Sequence, residues 1–280
     1  MSGSYWEAVR SQGLDVPSDR PLAELTAELT RMLGDADPDI REGIACRTLS
    51  TWVARGVYDD LLAGLGDGMA TGLVAGLGES GTDTVFRRSS SALVLGACLA
   101  RDNERSLVPG DKILEWGDRL ATWLLREQDL RGFVPGRGWA HAIAHGADAL
   151  ATLAASPHVA PPELTVVLDV IADRVLARTD TLFTHGEADR LAAATMAVLR
   201  RNEVTLSIAE PWVERITRVA VLVHEPQAGD PYLHGGNAEA FLRSLYLQLA
   251  LAPAPPAIRA DLLLVLVDAL RTTNAAYLAR

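Results

Sequence analysis

Two cysteines in 280 residues are too few for a disulfide framework or a cysteine-built structural zinc site. Cys46 and Cys98 stand in apolar helical text ("GIACRTL", "LGACLA") and read as small buried hydrophobes. Lysine is scarcer still. Only Lys112 appears among 26 basic residues, which reflects codon usage in a GC-rich genome and carries no functional signal. Basic excess is also missing. The net charge is −10 and the arginines are interspersed with acids, so no basic stripe exists to track phosphates and nucleic acid is excluded as a partner. The apolar runs, such as "DLLLVLVDAL", fall well short of the roughly 20 residues that a bilayer span requires. The opening residues show no basic segment leading into an apolar core, so no secretory leader is expected and a cytoplasmic location is the default. Aromatics reach only 5%, and Asn-Gly hairpin signals and long β-branched alternations are lacking, which argues against a sheet protein.

Helix signals fill the space left by these absences. In "DADPDIREGIACRTLSTWVARG", Asp37 is an N-cap, Pro38 takes the first helical position, and Gly56 closes the helix. Ile40, Ile44, Leu49, Trp52 and Val53 fall largely on one stripe of it. "SIAEPWVERITRVAVLV" reads as a capping box, Ser207 with Glu210, with Pro211 in the first turn. "PPELTVVLDVIADRVLAR" uses its prolines in the same way. Roughly eleven or twelve helices of about 15 to 20 residues, joined by short turns, are expected. That spacing predicts an all-α fold: a HEAT-like α-solenoid of antiparallel helix pairs, with an α/α toroid as the alternative. No linker resembles a flexible tether, so residues 1–280 are expected to form a single helical-repeat domain.

One segment stands apart: "RGFVPGRGWAHAIAHGAD", residues 131–148. With residues 138–155 placed on a helix, Trp139, Ile143, Gly146, Leu150 and Leu153 share a core face. His141, His145, Asp148 and Thr152 share the opposite face, and alanines flank both. This helix has no Lys, Arg or Glu, whereas "DKILEWGDRLATWLLREQD" before it carries the charge of a solvated face. A His, His, Asp, Thr stripe beside alanines therefore predicts the wall of a cleft. Glycines 132, 136 and 138, flanked by Arg131 and Arg137, lead into the helix N-terminus, where an anion or carboxylate can be received. No known nucleotide motif is present.

Other polar clusters are candidates for the same cleft. Arg87 and Arg88 with Ser91 follow a turn near Thr82 and Asp83, with a local Asp83–Arg87 ion pair as the simpler reading. His185, Glu187 and Arg190 mark a helix start, and His234, Asn237 and Arg243 lie further on. The ligand-binding candidates are Arg131, Trp139, His141, His145, Asp148, Arg87, Arg88, His185, Glu187 and Asn237. The i,i+4 histidines have the spacing of HExxH ligands, but the text reads His-Ala-Ile-Ala-His and lacks the general-base glutamate. No metal or cofactor is therefore expected, and the histidines are read as hydrogen-bonding groups that titrate near neutral pH.

"AHG" on an alanine-rich helix is faintly similar to the lanthionine cyclases, which are α/α toroids holding zinc through cysteines, one of them in Cys-His-Gly. Cys46 and Cys98 are followed by Arg and Leu, so that zinc site is absent. A closer resemblance is carried by "DPDIREGIACRTLSTWVARG", "GLGESGTDTVFRRSSSALVLGACLARDN" and above all "DLRGFVPGRGWAHAIAHGADAL". These stretches resemble the main motifs of the bacterial domain of unknown function 2785 family over much of residues 35–155, with a weaker likeness towards residue 250. The resemblance implies no catalytic role for any residue. The expected function is binding of a small molecule or peptide in a concave polar pocket around the GWAHAIAHGAD helix. The rivals are an enzyme using the same site, through histidine acid/base or mononuclear metal chemistry, and a protein–protein interaction scaffold.

Overall fold

A computed structural model describes residues 2–221, 230 and 232–278. The chain is all-α: 70% of it is helical, with thirteen α-helices among the described residues and one two-stranded ribbon. The helices run from four to 22 residues, a wider spread than the spacing of turn signals predicts. Contacts within the chain cluster into two compact units, 1–149 and 150–280.

The first unit contains α1 (Ser2–Ser11), α2 (Leu22–Met32), α3 (Arg47–Ala54), α4 (Leu62–Gly72), α5 (Thr84–Arg105) and α6 (Gly110–Arg126). It also holds the strands β1 (Phe133–Val134) and β2 (Gly138–Trp139) and the start of α7 (Ala142–Ala154). A π-helical segment, Asp39–Cys46, runs straight into α3. The start signal operates as expected, since the Asp37 carboxylate accepts the Asp39 N–H at 2.9 Å. The stop also holds. Gly56 takes a left-handed φ of 79°, and the Val57 N–H returns to the Trp52 carbonyl at 3.0 Å. Ile44, Leu49, Trp52 and Val53 are buried, while Ile40 is half-buried.

Trp6, Trp52 and Tyr58 pack ring against ring, and the Trp52 indole donates to the Leu14 carbonyl at 2.7 Å. Where α4 meets α6, Gly66 leaves room for a third tryptophan. A Cβ there would lie 2.1 Å from the Trp116 ring, so only glycine permits this approach. Both cysteines are buried, and burial pushes the Cys46 thiol up to about 11 and the Cys98 thiol up to about 12. They are inert apolar residues, as the sequence reading holds.

The second unit contains α8 (Pro161–Leu176), α9 (Glu187–Leu199), α10 (Leu206–Val221), α11 (Tyr232–Leu251), α12 (Arg259–Thr273) and α13 (Ala275–Leu278). Pro161 and Pro162 open α8, as expected. The capping box proposed at Ser207 and Glu210 does not form. Helix α10 starts at Leu206, two residues earlier than that cap implies, the Thr205 carbonyl accepts the Ile208 and Ala209 N–H groups, and Pro211 falls inside the helix. Trp212 crosses edge-on to Phe241 and donates to the Leu168 carbonyl at 2.8 Å, tying α10, α11 and α8 together. None of the described helices is long and apolar enough to cross a membrane.

Candidate functional site

The glycine-rich text is a hairpin and not a helix start. Phe133 pairs with Trp139 and Val134 with Gly138 in an antiparallel ribbon. Gly136 and Gly138 adopt left-handed φ values of 72° and 74°. At Gly138 the need for glycine is also steric. A Cβ there would stand 2.7 Å from the Glu42 carboxylate and 2.8 Å from Pro38. The π-helical segment grips the hairpin at that point. Arg41 donates to the Arg137 carbonyl at 2.5 Å, and Glu42 accepts the Trp139 N–H at 3.0 Å. Arg41 is fully buried, bonds Glu42 at 2.6 Å, and lies 4.0 Å over the centre of the Phe86 ring.

Helix α7 consequently begins at Ala142, four residues later than the 138–155 helix read from the sequence. The chain turns from strand to helix within one residue. The Ala140 N–H bonds Gly132 and the His141 N–H bonds Arg131, while the His141 carbonyl already accepts the His145 N–H at 2.9 Å. His141 meets both demands with a left-handed φ of 47°, a conformation that costs a residue bearing a Cβ about 1 to 2 kcal/mol. Glycine carries no such cost, so His141→Gly should be more stable than His141→Ala by about 1 kcal/mol in urea denaturation, the lost imidazole being common to both. Equal stabilities would mean that the strain is absent.

The side chains then fall into place. The Trp139 ring stacks on His141, centroids 4.1 Å apart and 25° from parallel, and Phe133 meets Trp139 edge-on at 5.0 Å. His141 is 8% exposed and lies 5.9 Å from the ring of His145, nearly perpendicular to it. His145 is half-buried, and its Nδ1 shares a 2.8 Å hydrogen bond with the buried Ser89 hydroxyl of α5. Ile143, Leu150 and Leu153 are buried, as expected of the apolar stripe. Gly146 gives α7 its close approach to α6, since a Cβ there would lie 2.7 Å from Leu124.

Several expectations are overturned. Trp139 is not in the core: it is 39% exposed, on a strand, with Phe133 beside it at 48%. Asp148 is exposed, and His141 lies one residue ahead of α7, so the polar stripe on the helix itself begins at His145. Arg131 and Arg137 are both engaged by carboxylates. Arg131 is held by Asp129 through bonds of 2.8 and 2.7 Å, and Arg137 pairs with Asp83. Asp83 therefore does not pair with Arg87.

Arg88 is fully buried at the centre of a polar cluster. Its guanidinium bonds both oxygens of Glu127 at 2.6 and 2.8 Å, the carbonyls of Ala75 and Gly76 at 2.9 Å, and the Thr84 hydroxyl at 2.9 Å. Glu127 in turn accepts from the Trp123 indole and the Asp129 N–H, both at 2.9 Å. Asp129 accepts the Gly81 N–H at 2.9 Å as well as Arg131. Glu127 and Asp129 are entirely buried, contrary to the solvated reading of "REQD". The cluster ties the start of α5 and the turn before it to the end of α6, immediately ahead of the hairpin. Arg87, one residue back, packs instead against Gly34 and Gly72.

In the second unit, Glu187 and Asn237 are buried and hold a loop: Glu187 accepts the His185 N–H and Asn237 the Phe183 N–H, both at 2.8 Å. The His234 side chain lies outside the described residues. Arg243 bonds Glu239 and Asn274, each at 2.5 Å. Among the described residues no group of three or more His, Cys, Asp or Glu is placed to hold a metal ion.

Sequence reading missed Arg41, Glu42, Ser89, Glu127 and Asp129. Ser89 had a signal available, since on α5 it lies 100° from Arg88 and so must face elsewhere. The others act through partners distant in sequence. A family model described as protein of unknown function (DUF2785) matches residues 73–247, a span that takes in Arg88, Glu127, the hairpin and both histidines. No curated protein and no solved structure matches the chain. With well over half of its length covered by that model, the chain belongs to the DUF2785 family.

Proposed function

We propose that the protein binds a small molecule or a peptide side chain on the aromatic shelf of the β1–β2 hairpin, with the histidines beneath it. The observation that carries this reading is Trp139: a large ring left 39% exposed, yet backed by His141 and pinned through its backbone to Glu42. Exposed aromatic surface is unfavourable in water, and a rigid scaffold beneath it suits a binding role. The left-handed His141 supports the same reading, because strained non-glycine residues cluster at functional sites. A flat or apolar ring in the ligand suits the shelf, with His145 as its hydrogen-bonding neighbour.

The enzyme reading has one specific observation in its favour, the Ser89–His145 hydrogen bond. With Ser89 only 1% exposed, that reading makes His145 an acid/base group and Ser89 the residue that positions it, not a nucleophile. We further infer a single helical-repeat domain in the cytoplasm. In the second unit α8 touches both α9 and α10, and α10 touches both α11 and α12, the nearest and next-nearest packing that stacked helix pairs produce.

The binding reading is tested by a thermal-shift screen of a small-molecule and peptide library against the wild type and Trp139→Ala. Hits are expected to raise the wild-type melting temperature and to lose at least about tenfold in affinity in the variant, as truncation of an aromatic anchor does. Hits that bind both proteins equally would reject the shelf.

A further inference from the structure

A groove of about 470 Å3 lies between α2 and α4, within the range of small-molecule sites, about 300 to 1,000 Å3. Its walls are apolar, with Leu22 and Ala27 on one side and Leu65 and Met69 on the other. Its width comes from glycine: Gly64 and Gly68, one turn apart on α4, face open space. No residue of this groove belongs to the hairpin site.

The two ends of the groove differ in charge. Asp60 lines it at the start of α4. At the other end, one turn beyond Thr30 and Met69, Gly34 and Gly72 have no side chains and Arg87 fills the gap. A Cβ on Gly34 would lie 3.2 Å from the Arg87 Cβ, and one on Gly72 would lie 3.0 Å from the Arg87 Nε. The Arg87 guanidinium has no hydrogen-bond or ion-pair partner among the described residues, unlike Arg88 beside it with Glu127. It also sits in the first turn of a 22-residue helix, whose positive end disfavours a cation. The carbonyl ends of α2 and α4 offset part of that charge without bonding the group. Burial alone lowers its pKa, and no acid acts to raise it.

A buried group without a partner lies at the same point. Ser91, one turn along α5 from Arg87, is completely buried, and its hydroxyl has no partner. That oxygen stands 2.1 Å from where a Gly72 Cβ would be, so Arg87 and Ser91 converge on one spot. A guanidinium with no protein acceptor and a buried hydroxyl with no partner, one turn beyond an apolar groove, suit an anion attached to an apolar body.

We infer that the α2–α4 groove binds a long-chain carboxylate, its apolar chain along Gly64 and Gly68 and its head group at Arg87 and Ser91. Asp60 sets the polarity, because a carboxylate at that end would meet a like charge. The length of the chain is bounded by Asp60 and Arg87, which lie at opposite ends of α4.

The test is isothermal titration calorimetry of the full chain with dodecanoate, dodecanol and inorganic phosphate. Variants are Arg87→Gln, which removes the charge, and Gly68→Leu, which fills the groove from a helix position facing open space and so should leave the fold intact. One dodecanoate per chain is expected, weakened at least about tenfold in each variant, with dodecanol weaker by a similar factor and phosphate not binding. Three results would overturn the inference: no saturable dodecanoate binding, dodecanoate binding unchanged in folded Arg87→Gln, or phosphate binding that depends on Arg87 but ignores Gly68→Leu.

Discussion

Arg88→Met should lower the unfolding free energy by about 3 to 5 kcal/mol, the loss typical when one partner of a buried ion pair is removed. The size follows from what remains behind. Glu127 is entirely buried and would lose both guanidinium bonds, while the Ala75 and Gly76 carbonyls would lose theirs. Glu127→Leu should cost a similar amount by leaving Arg88 unpaired. The double variant should cost clearly less than the sum, because no unpaired charge is then buried. It should still fall short of wild type, since the carbonyls and N–H groups stay unsatisfied. Urea denaturation of the four proteins measures all of this. A loss under about 1 kcal/mol in Arg88→Met would show that the cluster opens to water and is not the clamp described.

The cluster also explains what sequence could and could not reveal. The N-cap at Asp37, the stop at Gly56 and the paired prolines of α8 are local devices, each complete within a few residues, and they are where the sequence places them. The burial of Glu127 is not local. Its partner lies 39 residues away, and a glutamate near the end of an amphipathic helix has the same text whether it meets water or an arginine. Arg87 and Arg88 show the limit from the other side. They look equivalent in "FRRSSS", but adjacent helix positions diverge by 100°, so one enters the Glu127 cluster and the other reaches Gly34 and Gly72.

The hairpin was hidden for a different reason. Its strands are two residues each, too short to show alternation, and its glycines fit a helix lead-in equally well. The periodicity that put Trp139 on a core face was real from Ile143 onward and false before Ala142. The break falls at His141, whose left-handed backbone no propensity scale would assign to histidine. The histidines were thus found by their composition, while the geometry that joins them to Trp139, Ser89 and Glu42 depends on contacts with α5 and the π-helical segment.

Leu150→Ala tests the part of α7 that periodicity did read correctly, and it should cost about 2 to 5 kcal/mol, as buried Leu-to-Ala truncations do. Leu150 is fully buried and shares its face with Ile143, Ala147 and Ala154, at spacings of three and four residues. The alanines are already small, and Gly146 holds α7 close against Leu124. The helix therefore has little freedom to close over the space left by the leucine, and the cavity term adds to the lost burial at about 24 cal/mol per Å3. Asp148, two residues earlier on the same helix, is exposed, so Asp148→Ala opens no cavity and should cost less than Leu150→Ala. Both variants place alanine in the same helix, so intrinsic propensity changes either stability by less than about 0.7 kcal/mol. Guanidinium denaturation should show a lower midpoint for Leu150→Ala with an unchanged slope. Equal losses in the two variants would mean that α7 buries a different face, and the position of His145 beside Ser89 would fall with it.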